Sequence, residues 1–203
     1  MTTRTFTHLY DSYDDAARVV GDLEANGVPH ADISIVGSNH DDRVPATSLA
    51  NGTAPDAPTG AGTGASVGTM VGGGAGLLAG IGALAVPGIG PLVAAGWLVA
   101  TLTGAGAGAA AGGLLGSLTG AGVHKDDAHV YAEGVRRGGT LVTVRADEGD
   151  ASQIEQVLSG SGSVDIAARR ASYQSKDWSH FDDTAAGYRT AEVTAERQRA
   201  RRL

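Results

Sequence analysis

At 203 residues the chain is long enough for one domain with an appendage. It contains no cysteine, which excludes disulfides, thiolate metal sites and cysteine nucleophiles. Its net charge of −7 and 4% aromatic content argue against a basic, base-stacking nucleic-acid binder, so no nucleic-acid partner is expected. The start, "MTTRTFTHLY", lacks the apolar run of a signal peptide, and none is expected. "TFTHLY" (5–10) is rich in β-formers and reads as a strand. In "DSYDDAARVVGDLEANG", Ser12 is placed to cap a helix, with Asp15 in its first turn. Ala16, Val19, Val20 and Leu23 share one face of that helix, and Gly27 ends it. "DISIVG" (32–37) alternates Ile33 and Ile35 as a second strand, completing a β-α-β unit over 1–37.

Residues 38–59 are turn-rich and polar and read as a linker. A segment without Asp, Glu, Lys or Arg then runs from Asp56 to Lys125. Within it glycine recurs every fourth residue, at Gly60, Gly64, Gly68, Gly72, Gly76 and Gly80. The same spacing returns at Gly104, Gly108, Gly112, Gly116 and Gly120, and Gly96 extends that run backwards. "VPGIGP" (86–91) breaks the segment with two prolines, so helices are expected over about 60–85 and 92–120. Glycine costs about 1 kcal/mol per residue in a helix relative to alanine. Close backbone packing can offset that cost, as in small-xxx-small membrane helix pairs. The twelve glycines are therefore the candidate functional residues, a helix-packing stripe in a hairpin over 60–123. A four-residue repeat drifts by about 40° per step around a helix of 3.6 residues per turn, so one partner cannot cover it and a homo-oligomer is expected.

The length of each expected helix exceeds the ~30 Å hydrocarbon core of a bilayer, although its apolar density is low. The leading reading is a membrane-associated hairpin, with the flanking domain in the cytoplasm at the cytoplasmic membrane. The alternatives are a hairpin buried in a soluble ring, shell or filament in the cytoplasm, and a flexible Gly/Ala linker.

Beyond the segment, Asp126 or Asp127 is placed to cap "DDAHVYAEGVRRGG", which ends at Gly138–Gly139. "TLVTVRA" (140–146) is a strong strand. "DASQIEQVLSG" is a helix with Asp150 and Gln153 in capping-box spacing and Ile154, Val157 and Leu158 on its apolar face. "SVDIAAR" (163–169) reads as a last strand. Strand, helix, strand at 5–37 thus recurs at 140–169, within a second half of the domain over 124–170. Two such units pairing into one antiparallel sheet with helices on one face define an α+β, ferredoxin-like domain. Residues 171–203 read as an extended tail ending in a short basic helix; Trp178, Phe181 and Tyr188 are candidates to dock it, and "RQRARRL" to touch anionic lipid.

The strings "YDSYDDAARVVGDLEANGVPHADISIVG" and "HVYAEGVRRGGTLVTVRA", with the glycine-rich middle between them, resemble the general stress protein 17M-like, heat-induced stress protein domain family over about residues 4–170. The resemblance implies a small α/β domain and stress-linked expression in bacteria, and supplies no catalytic residues.

Other chemistry is weakly signalled. "GTGASVG" lacks the Gly-Lys-Ser/Thr of a phosphate-binding loop. His124, Asp126, Asp127 and His129, and separately His40, Asp41 and Asp42, could approach a divalent metal, but histidines near a helix start more often form a solvated face. No nucleophile, base and orienting group can be assembled. No metal, cofactor or catalytic residue is expected. The function expected is that of a non-enzymatic stress protein that self-assembles, with a small-ligand sensor or enzyme on the sheet as a further alternative.

Overall fold

A computed structural model describes residues 3–39, 82–86, 88–103, 113–160 and 162–200. The chain order is β1 (Thr3–Tyr10), α1 (Tyr13–Ala25), β2 (Ile33–Ser38), β3 (Gly82–Val86), β4 (Gly90–Gly96), α2 (Trp97–Thr103), α3 (Gly113–Gly120), α4 (Lys125–Arg136), β5 (Thr140–Asp147), α5 (Ala151–Leu158), α6 (Ile166–Gln174) and α7 (Thr190–Ala200). The five strands form one antiparallel sheet in the order β1-β5-β2-β4-β3.

The first β-α-β unit forms as its sequence requires. The Asp15 N–H donates to Ser12 Oγ at 3.1 Å, Ala16, Val19, Val20 and Leu23 are all buried, and Gly27 stops the chain at φ 87°. β5 then inserts between β1 and β2, antiparallel to both, so it is covered on both edges. Its run Leu141, Val142, Thr143, Val144 is buried on both faces, as a central strand needs.

Alternation along the strands divides the core in two. Phe6, Tyr10, Ile33, Ile35, Val142 and Val144 face α1 and α5. Leu9, Val36, Leu92, Ala94 and Leu141 face the other way, against α2, α3 and α4 through Leu98, Leu114, Leu118, Ala132 and Val135. Helices therefore cover both faces of the sheet, where one covered face is the sequence-based expectation. The cause is the segment after residue 82: Leu98, Leu102, Leu114 and Leu118 need a cover, and the sheet's second face supplies it.

Further expectations are corrected. Residues 82–86 and 90–96 are strands of a hairpin, not parts of two long helices. The "VPGIGP" break is indeed the turn, with Gly88 at φ 74° and Gly90 at φ 102°, and Ile89 N–H closing onto Val86 O at 3.1 Å. The helices 60–85 and 92–120 are thus replaced, within the described residues, by β3, β4, α2 and α3. Val93, Ala94 and Ala95 fit a pleated, buried strand, and the sheet edge at β2 gives that strand its hydrogen bonds.

Residues 163–169 do not form a strand. Ser163 makes one isolated bridge to Tyr10, after which Asp165 caps α6 by accepting from Ala167 N–H and Ala168 N–H. The order β1-β5-β2 is the centre of the ferredoxin-like pattern, but its fourth strand is reduced to that bridge, and the β4-β3 hairpin extends the opposite edge.

Helix starts also differ locally. α4 begins at Lys125 with no side-chain cap, Asp126 and Asp127 lying in its first turn. Asp150 makes no capping bond, and Gln153 instead donates to Asn26 Oδ1 at 3.3 Å. The tail is not extended. Tyr173, Phe181 and Val193 are buried, and α7 packs back on the domain.

Candidate functional site

The most concentrated polar structure among the described residues grows out of α4. Glu133, Arg136 and Arg137 lie at positions i, i+3 and i+4, so they share one helical face. The Glu133 side chain is fully buried. Arg137 Nε donates to Glu133 Oε1 at 2.5 Å, and an Arg136 guanidinium nitrogen lies 2.8 Å from Oε2. Burial opposes the charge on Arg137, and the Glu133 carboxylate more than offsets that, so its guanidinium is held above the ordinary arginine value.

The C-terminal part closes over this face. Arg137 lies 4.3 Å above the Tyr173 ring, and Arg136 stands over Phe181 at 5.7 Å and Tyr188 at 5.2 Å. Such stacking keeps two cations favourable where water is scarce. Glu196 on α7 accepts from Arg137 at 3.3 Å, pairs with Arg199, and sits 4.0 Å from Lys176 Nζ. Arg197 Nε donates to Gly138 O at 2.9 Å.

Two glycines of "EGVRRGG" permit the closure. Gly138 has φ 100°, and a Cβ there would strike Val193 and lie 2.8 Å from Arg197 Nε, so α7 rests directly on this turn. A Cβ on Gly134 would lie 2.5 Å from Leu9 Cδ2, so α4 can sit this close to the sheet only without one.

Beside Arg137 is a cavity of about 30 Å³. Arg137, Arg169, Lys176, Arg197 and Arg199 line it with five cations, against the carboxylates of Asp11 and Glu196. Arg169 is fixed by Asp11 Oδ2, to which it donates at 2.8 Å. The Tyr173 hydroxyl is buried beside Arg169 without a well-formed hydrogen bond. Burial pushes its pKa up to about 12, with Arg169 and Arg137 acting in the opposite direction, so it is a neutral donor at ordinary pH. Sequence reasoning did not single out Glu133, Arg137, Tyr173 or Glu196. The Glu-x-x-Arg-Arg spacing was the available signal, but surface helices carry the same pattern, and only the folded-back tail buries it.

The glycine stripe divides between described and undescribed parts. Gly60, Gly64, Gly68, Gly72, Gly76 and Gly80, and likewise Gly104, Gly108 and Gly112, lie outside the described residues. Gly96 ends β4 at φ 93°, and a Cβ there would collide with the Ile33 carbonyl oxygen. Its small size serves close approach, but of two strands and not of two helices. Gly116 and Gly120 lie on α3; a Cβ on Gly120 would meet open space. Among the described residues, no helix is long and apolar enough to cross a membrane.

The polar cluster at the start of α4 is not brought together as a metal site. Asp127 pairs with Arg170, and His129 Nδ1 accepts from Phe181 N–H at 3.3 Å. The His129 ring stands edge-on to His180, 6.1 Å away. Burial lowers the His129 pKa, His180 and Lys125 lower it further, and Asp126 opposes them. Among the described residues, no group of three His, Asp or Glu side chains is arranged to hold a metal ion. His40, Asp41 and Asp42 lie outside them.

With this geometry in place, comparison with known proteins gives one positive finding. Residues 5–80 match the family model described as the heat induced stress protein YflT domain, which bears out the stress-protein resemblance over that span. The span takes in the first β-α-β unit and the stripe Gly60–Gly80, and it stops before "EGVRRGGTLVTV". No curated protein and no solved structure matches the chain.

Proposed function

We propose that this is a non-enzymatic, stress-associated bacterial protein whose α/β domain presents a glycine-patterned segment for self-association. The observation that carries the reading is where that segment is attached. Before the segment, Asn39 N–H donates to Pro91 O at 2.9 Å, and after it Gly82 pairs with Ala94. The segment that carries the stripe Gly60–Gly80 is thus flanked by β2 and β3, two strands of one sheet that stand on either side of β4. Any packing between stripes of different copies would gather whole domains into a homo-oligomer.

The same attachment narrows the membrane reading. Two helical spans need about 20 apolar residues each. The charge-free stretch before β3, residues 57–81, is too short for two such spans and their turn. The apolar side chains of Leu92, Leu98, Leu114 and Leu118 are committed to the domain's own core. A soluble homo-oligomer therefore stands first. Membrane association stands second as surface contact, supported by the uncharged segment and by Arg197, Arg199, Arg201 and Arg202 near the C-terminus. Both readings use a cytoplasmic domain and neither requires a cofactor.

Substitution within the stripe tests the proposal. Gly72→Leu should reduce oligomer size in size-exclusion chromatography with light scattering, while Ala79→Leu, off the stripe, should leave it unchanged. Equal behaviour of the two variants refutes packing through the stripe. Recovery of the native protein without detergent, wholly in the soluble fraction, refutes membrane contact. Turnover of a small molecule that survives replacement of residues 57–81 by a short polar linker would favour an enzyme instead.

A further inference from the structure

We propose that the cationic cavity between α4, α6 and α7 binds a phosphate group, and that Glu196 holds its place in the free protein as an internal anion. This inference is independent of the self-association reading, since it uses none of residues 57–81. Five of the fifteen lysines and arginines of a protein with net charge −7 converge on this one cavity. The wall is preorganised. Arg137 is fixed from below by buried Glu133 and stacked on Tyr173, and Arg169 is held by Asp11. Preorganised guanidinium donors suit a tetrahedral, multiply charged oxyanion better than a lone carboxylate.

Two observations point to an anion that is exchanged and not merely to a structural ion-pair cluster. The Tyr173 hydroxyl is a buried donor without a well-formed acceptor at the cavity wall, a group that ordinarily has a partner. Glu196 serves Arg137, Arg199 and Lys176 at once, yet reaches Lys176 only at 4.0 Å, so one carboxylate is spread over three cations. A phosphate carries up to two charges at neutral pH and more acceptor oxygens, and would satisfy these donors more fully. A cavity of about 30 Å³ restricts the ligand to a compact phosphate group and leaves no room for the base and sugar of a nucleotide. The ligand class is therefore inorganic phosphate or the phosphate end of a monoester, whether soluble or on a lipid.

The test uses the full chain. Thermal unfolding is followed against inorganic phosphate, with chloride at matched ionic strength as the reference. A saturable rise in midpoint specific to phosphate is expected. Lys176 and Arg199 are substantially exposed, so the double variant Lys176→Gln/Arg199→Gln should fold normally, and its phosphate affinity should fall about ten-fold or more. Glu196→Gln, which removes the internal competitor, should bind about two- to five-fold more tightly, the worth of a partly exposed ion pair. O-phosphoserine should compete if the source is a soluble monoester. Co-sedimentation with phosphatidylcholine vesicles containing phosphatidic acid, competed by inorganic phosphate, would place the same group on a lipid. Absence of any phosphate-specific response overturns the proposal. So does a response undiminished in the double variant, which would assign binding to other cations.

Discussion

Replacing Glu133 with glutamine removes one charge while keeping size and one acceptor oxygen. In the folded protein that charge is fully buried and serves Arg136 and Arg137, whose side chains are only 10% and 11% exposed. Breaking a buried ion pair from one side costs about 3–5 kcal/mol, because the remaining charge keeps its desolvation penalty. Here Arg137 retains Glu196, and both guanidinium groups retain aromatic faces, so the lower end applies, about 3 kcal/mol. For a chain of this length that lowers the unfolding midpoint by about 6–12 °C. The assay is urea unfolding of Glu133→Gln against the parent, with fluorescence of Trp97 and Trp178 as the readout. A compensated variant, Glu133→Met/Arg136→Leu/Arg137→Leu, removes all three charges together and should recover most of the loss. If Glu133→Gln lies within about 1 kcal/mol of the parent, burial of the pair does not govern the docking of the C-terminal part, and the reasoning fails.

Gly96→Ala should cost about 3 kcal/mol or more, because the added Cβ meets the Ile33 backbone carbonyl and the residue is held at φ 93°; a loss under about 1 kcal/mol in thermal unfolding would refute the strand-contact role. Gly138→Ala meets the side chains of Val193 and Arg197, not backbone, in addition to its φ of 100°, so about 1–2 kcal/mol is expected, with faster hydrogen exchange confined to α7; protection unchanged there would refute direct packing of α7 on the turn. The His129 pKa is lowered in the folded state, so the unfolded chain binds more protons between that value and the ordinary histidine pKa near 6.5. Its contribution is complete above about pH 6.5 and is lost as pH falls through the lowered value. His129→Gln should flatten this part of the stability profile, and an unchanged difference between pH 7 and pH 5 would refute the assignment.

The first unit shows how far local sequence reaches. Ser12 and Asp15, the spacing of Ala16, Val19, Val20 and Leu23, and Gly27 act within a few residues of one another, so the helix they specify is the helix that forms. Likewise the turn in "VPGIGP" is fixed by proline and glycine backbone limits and forms whatever flanks it. The flanks are another matter. "GALAV" and "GPLVAAG" contain only small and apolar residues, which a buried helix and a buried strand accept equally. The free edge of β2 decided for strands by offering hydrogen bonds to β4. "SVDIAAR" was decided the other way, because Asp165 caps a helix at once and leaves one bridge to Tyr10. The absence of charge between Asp56 and Lys125 was fully visible in the sequence, but its meaning was not: at Val86, Leu92, Leu98, Leu102, Leu114 and Leu118 it reflects burial in the core shared by the sheet and α4, the same composition that lipid would demand. The cationic cavity lay deepest out of sight. Its residues come from positions 11, 134–139, 169–176 and 196–199, and a charge acquires significance only when distant segments meet and exclude the water that would otherwise screen it.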